Sequence, residues 1–165
     1  MVELVAPEEL RQQIEQGIIE EMLDELAARF LGPHKKIYCY RLVDGSCPIR
    51  DFLEEQELRV KATYHKQFEK VCIGANLRAE RWKPWTEDDG KGCKGLFEYK
   101  DISSKTRIMH LMEGNIHVLL FGFSGKKEDK VEPGHVKRAI DMKAEYLARR
   151  ERIAQRVNSK KGIKK

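Results

Sequence analysis

Residues 96–123 read LFEYKDISSKTRIMHLMEGNIHVLLFGF, and this stretch decides the fold. Three runs rich in β-branched and aromatic residues, Leu96 to Ile102, Thr106 to Met112 and Ile116 to Phe123, are separated by Ser103-Ser104-Lys105 and Glu113-Gly114-Asn115. Connections this short make hairpins, so the three runs predict an antiparallel meander. Ile116 to Phe121 is apolar on both faces, the mark of a central strand covered on each side. Alternation places Glu98 and Lys100 on one face of the first strand and Phe97 and Tyr99 on the other.

Upstream, Lys36 to Val43 reads as a fourth strand, with Ile37 and Cys39 on one face and Tyr38 and Tyr40 on the other. Two helices follow it. The first opens near Ser46 and turns Ile49, Phe52 and Leu53 inward, and the second carries the apolar line Val60, Tyr64, Phe68, Val71. Arg81 to Gly95 has no periodicity and reads as a mobile surface loop. Pro133 opens a last helix through Val136, Ile140, Ala144 and Leu147.

At the other end, Leu10, Ile14, Ile18, Met22 and Leu26 recur at helical spacing between Pro7 and Leu31. The expectation is an α+β domain over residues 34–157 whose antiparallel-rich sheet has about four strands with helices packed on it. Residues 1–33 form an acidic helical extension, and residues 158–165 form a basic disordered tail.

One core suits 165 residues with 41% hydrophobic content. The apolar runs fall far short of the roughly 18 residues of a membrane-spanning helix, and no membrane partner is expected. The start, Met1-Val2-Glu3, lacks the basic and apolar regions of a secretory signal, so a cytoplasmic location is expected. Gaps of 8, 25 and 21 between Cys39, Cys47, Cys72 and Cys93 match neither a disulfide framework nor zinc knuckles, and free thiols are expected.

The net charge is +5, but it is divided. Residues 1–32 carry eight acids and two bases, a net of −6, which leaves +11 on the remainder. The last nineteen residues set eight Lys or Arg against Glu151 alone. A basic body of this kind attracts polyanions by counterion release. The acidic helix then has two readings. Its apolar stripe completes the core, or its acidic face covers a basic groove.

Gly95-Leu96-Phe97-Glu98-Tyr99-Lys100 resembles the "G-L-W-E-L-R" strand of the phage-derived, HigB-like branch of the RelE/ParE toxin superfamily. Arg107-Ile108-Met109 is similar to that branch's "Y-R-V-L-Y" strand, and residues 115–127 are similar to its "I-V-L-L-H-G-F-x-K-K" segment. Pro133, Val136, Ala139 and Tyr146 fall where its following helix has its proline, alanine and tyrosine. Ser46 to Leu53 resembles its "S-P-V-x-E-F-L" helix start. The resemblance covers residues 36–150.

It implies a cytoplasmic type II toxin that cleaves messenger RNA, commonly at the ribosome, without metal or other cofactor, and that is neutralised by an antitoxin protein. The cleavage is attack of a ribose 2′-hydroxyl on the adjacent phosphate, which needs proton transfer and cations for the developing charge. Lys100, Arg107, Lys126 and Lys127 are the residues offered for the cationic part. Glu128 to His135 lacks the arginine and tyrosine that the family commonly supplies there; His110 and His135 are offered as RNA-binding residues, and either replaces a proton-transfer group only where folding brings it within reach of Lys100 and Arg107. General acid and base stay unassigned.

Trp82 and Trp85, interleaved with Arg81 and Lys83, are offered as base-stacking and phosphate-holding groups. The competing reading of Arg107 is a sheet contact with Glu98, and that of His117 a hydrogen-bonded core histidine. Two other functions stay open: a non-catalytic relative that binds nucleic acid or protein as an accessory factor, and a ParE-like gyrase inhibitor.

Overall fold

The computed structural model describes residues 7–77, 82–89, 91–124 and 132–161. Ten main elements run α1 (Pro7–Met22), β1 (Leu23–Glu25), β2 (Lys36–Tyr40), α2 (Pro48–Glu55), α3 (Leu58–Cys72), β3 (Trp82–Pro84), β4 (Leu96–Asp101), β5 (Thr106–Glu113), β6 (Ile116–Ser124) and α4 (Pro133–Lys161). The class is α+β. The sheet has six strands rather than four, in the order β1-β2-β6-β5-β4-β3, and is mixed because β2 lies parallel to β6.

The meander β4-β5-β6 forms from the three runs of the opening stretch, with Lys100 opposite Arg107 and Arg107 opposite Phe123. The pairing is interrupted once. Met109 faces Phe121 while His110 faces Leu119, so Leu120 is the extra residue of a β-bulge. Leu120 and Phe121 consequently join the same core.

Each face of the sheet is covered. On one side α1 and α4 contribute Ile18, Met22, Ala139, Tyr146 and Ile153 to a core with Val118, Phe121 and Phe123. On the other, α2 and α3 contribute Ile49, Phe52, Tyr64 and Phe68 to a core with Ile37, Tyr99, Ile108 and Leu119. α2 approaches β6 so closely that a Cβ on Gly122 would lie 2.3 Å from the Phe52 ring. All four cysteines are buried free thiols.

The expected boundaries shift at three places. The helix from Pro7 ends at Met22, not near Leu31, because Leu23 to Glu25 pair with Tyr40 to Tyr38. Arg41 donates to the carbonyls of Glu20, Glu21 and Leu23, meeting the helix's unsatisfied C-terminal acceptors, and pairs with Asp24 at 2.5 Å. The stretch after Arg81 is not wholly a surface loop. Trp82 to Pro84 add a strand to β4, the Trp85 N–H donates to the Leu96 carbonyl, and Trp85 and Cys93 are buried. Asn158 to Lys161, placed in a disordered tail by composition, continue α4, and residues 162–165 lie outside the described residues.

α1 packs on the C-terminal half of α4. A Cβ on Gly17 would lie 2.8 Å from Ile153, and Glu21 pairs with Arg156. Among the described residues, no helix is long and apolar enough to cross a membrane.

Candidate functional site

β4 divides its side chains between two environments. Glu98 and Lys100 face α4, whereas Phe97 and Tyr99 face α3, as strand geometry requires. Both faces collect polar groups, and they collect different kinds.

On the α4 face, antiparallel pairing sets Lys100, Arg107 and Phe123 side by side on three adjacent strands. Neighbouring strands lie about 4.8 Å apart, so the row spans about 10 Å. His135, from the first turn of α4, continues it, because its imidazole stacks on Phe123 with ring centres 4.2 Å apart. Arg138, one helical turn further on, lies over Phe121 at 4.4 Å. Lys83 belongs to this side too: it stands opposite Glu98 across the β3–β4 pairing and reaches Asp89 at 3.7 Å.

The Arg107 guanidinium donates to both oxygens of Glu98, at 3.2 and 3.1 Å. Glu98 is 0% exposed and Arg107 8%, so this is a buried ion pair. The competing sheet-contact reading of Arg107 therefore describes a contact that exists. Lys100 is half-buried, and its backbone carbonyl accepts a hydrogen bond from Gln67 at 3.0 Å.

On the α3 face the polar groups are neutral and aromatic. Trp82 stacks on Phe97, Phe97 on His110, and His110 on both Tyr99 and His117, with the last two pairs centred at 4.4 and 4.8 Å. The Trp82 indole N–H donates to His110 Nε2 at 3.3 Å, which leaves the proton of that ring on Nδ1, where it has no partner among the described residues. The Tyr99 hydroxyl lies 2.5 Å from His117 Nδ1. Burial pushes His110 well below the ordinary histidine range and, helped by the Lys35 charge, His117 to about 4. Both imidazoles are neutral at physiological pH. Burial also drives the Tyr99 phenol well above its ordinary value.

The residues named from sequence thus separate. Lys100, Arg107, Lys83 and His135 share the α4 face. Trp82 and His110 lie on the opposite face, so His110 cannot exchange protons with a group held by Lys100 and Arg107. Trp85 is 3% exposed within the α4-side core and offers no face to a base. Arg81, Lys126 and Lys127 lie outside the described residues.

Sequence reasoning passed over Arg138, although its i+3 spacing from His135 carried the signal. The Tyr99–His110–His117 stack was not legible, because it joins three strands through a register that no local pattern prints. No group of three or more His, Cys, Asp or Glu able to hold a metal occurs among the described residues. Compared with known protein-family models, the chain matches none, and no curated protein matches it either.

Proposed function

We propose that the protein is a RelE/ParE-like, HigB-related endoribonuclease that cleaves messenger RNA and is held in check by an antitoxin protein. One observation carries the reading: Lys100 and Arg107, paired across one hairpin, and His135 from the distant start of α4 line up along one row on the α4 face. Cations to bind a phosphodiester and an imidazole able to give or take a proton are what metal-independent RNA cleavage requires.

In the proposed reaction the 2′-oxygen forms a bond to phosphorus, the bond from phosphorus to the 5′-oxygen breaks, a base removes the 2′-hydroxyl proton and an acid protonates the leaving oxygen. The products are a 2′,3′-cyclic phosphate and a 5′-hydroxyl. Lys100 and Arg107 hold the phosphate oxygens in this scheme, and His135 serves one of the two proton transfers. Lys83 and Arg138 extend the positive surface along the RNA backbone.

A second reading rests on the Arg107–Glu98 pair. A buried carboxylate whose two oxygens both accept from Arg107 Nη1 neutralises the charge that the arginine would bring to a phosphate, and this favours a non-catalytic nucleic-acid binder. Incubating the purified protein with end-labelled messenger RNA, with and without ribosomes, separates the two. Cyclic-phosphate ends that disappear in Lys100→Ala and His135→Ala select the nuclease. RNA retained on a filter without cleavage selects the binder. Inhibition of supercoiling by gyrase, with RNA untouched, overturns both.

A further inference from the structure

A second polar feature lies on the other face of the sheet, away from the Lys100 row. Between the end of α3, the turn before β2 and the strands β3, β5 and β6 lies a cavity of about 260 Å³. Its walls include Val71, Leu77, Trp82 and Met112, with His34 and Lys35 beside them and His117 among the lining residues. Among the described residues lining it, none is acidic.

His117 is 3% exposed, and its Nε2 has no hydrogen-bond partner among the described residues. The state of that nitrogen follows from Tyr99. Among the described residues the Tyr99 hydroxyl makes one side-chain hydrogen bond, to His117 Nδ1. If Nδ1 carried the ring proton, the buried phenol proton would be left without an acceptor. The phenol therefore donates to Nδ1, and the proton of the neutral ring sits on Nε2 as an unsatisfied buried donor. Leaving such a donor unpaired is costly, and a ligand accepting from it recovers that cost.

We propose that this cavity binds a small aromatic carboxylate. One carboxylate oxygen accepts from His117 Nε2 and the other meets the Lys35 ammonium. The ring lies among Trp82, Met112, Val71 and Leu77, where sulfur and indole both favour an aromatic partner. A cation finds no acid among the described lining residues to receive it. A fully apolar guest leaves the donor unsatisfied, and a dianionic phosphate sets two negative charges against Lys35, the single Lys or Arg among the described lining residues. The volume lies below that of pockets for drug-sized ligands, in keeping with a single substituted ring. The site stands apart from the proposed nuclease row and does not depend on it.

Titration of the isotopically labelled full chain with benzoate, benzyl alcohol and phenyl phosphate, followed by amide, indole and imidazole resonances, tests the assignment. Benzoate is expected to move the Trp82 indole and His117 ring signals saturably at millimolar concentration, and the other two probes to bind at least about tenfold more weakly. Lys35→Glu, a change at the half-buried cavity rim, is expected to weaken benzoate about tenfold without lowering the melting temperature, and His117→Gln to weaken it similarly. Benzyl alcohol or phenyl phosphate binding as well as benzoate overturns the proposal. So does the absence of a saturable benzoate response at these residues, or unchanged affinity in both variants.

Discussion

The two faces of the β4-β5-β6 meander solve the same problem in opposite ways. Each buries polar side chains beneath a helix. The α4 face keeps its groups charged and matches them, Glu98 to Arg107 at 3.1 Å. The α3 face holds its imidazoles neutral, with His110 stacked between Tyr99 and His117 and both rings bonded to uncharged donors. A charged pair tolerates burial only while both members are present, whereas a neutral stack tolerates it only while the solvent does not force a proton onto it.

The sharpest way to break the comparison is to remove one member of the pair. Glu98→Ala removes the buried carboxylate that pairs with Arg107 under α4 and is expected to cost up to about 3–5 kcal/mol in urea unfolding. The double variant Glu98→Met with Arg107→Met is expected to regain most of that. A single variant as stable as the parent would show that the pair is not desolvated.

Acid probes the opposite face. An unfolded histidine titrates near 6.5, while folded His117 titrates at about 4, so between these values the unfolded chain binds the extra proton. Stability from this residue is fully present above about pH 6.5 and falls as the pH drops towards 4, by roughly 3 kcal/mol. His110 shifts in the same direction. Denaturant midpoints measured from pH 7 down to 4 should show the loss, and His117→Gln should flatten it. An equally steep fall in that variant would place the acid sensitivity elsewhere.

Function is expected to divide between the faces as well. Lys100→Ala should reduce RNA cleavage about 10²-fold while shifting stability by no more than about 0.5 kcal/mol. Tyr99→Phe should do the reverse, leaving cleavage intact and costing about 1–2 kcal/mol through the lost bond to His117. Cleavage that falls in Tyr99→Phe and survives in Lys100→Ala would invert the assignment.

Much of the architecture was legible in local pattern. The meander, the two helices behind β2 and the start of the last helix at Pro133 are all written in periodicity and turn residues. The misplacements share a cause. Leu23 to Glu25 continue a helical stripe and leave it only because Tyr38 to Tyr40 offer a partner, so pairing over distance overrides local preference. Trp82 to Pro84 are too few to show alternation, and they become a strand only beside β4.

The candidate site was legible in part for a related reason. Lys100 and Arg107 lie across one hairpin, where register follows from turn length. The cavity beside His117 draws its lining from α3, the turn before β2, β3, β5 and β6, and no single segment announces it.

The bulge at Leu120 has a consequence for β6 as a whole. Ahead of it, odd-numbered residues such as His117 and Leu119 look towards α2 and α3; beyond it, odd-numbered Phe121 and Phe123 look towards α4. The inserted residue reverses the strand's parity midway. Odd-numbered residues of one strand thereby enter two unlike chambers, and which pair of helices feels a change at an odd position depends on its side of Leu120.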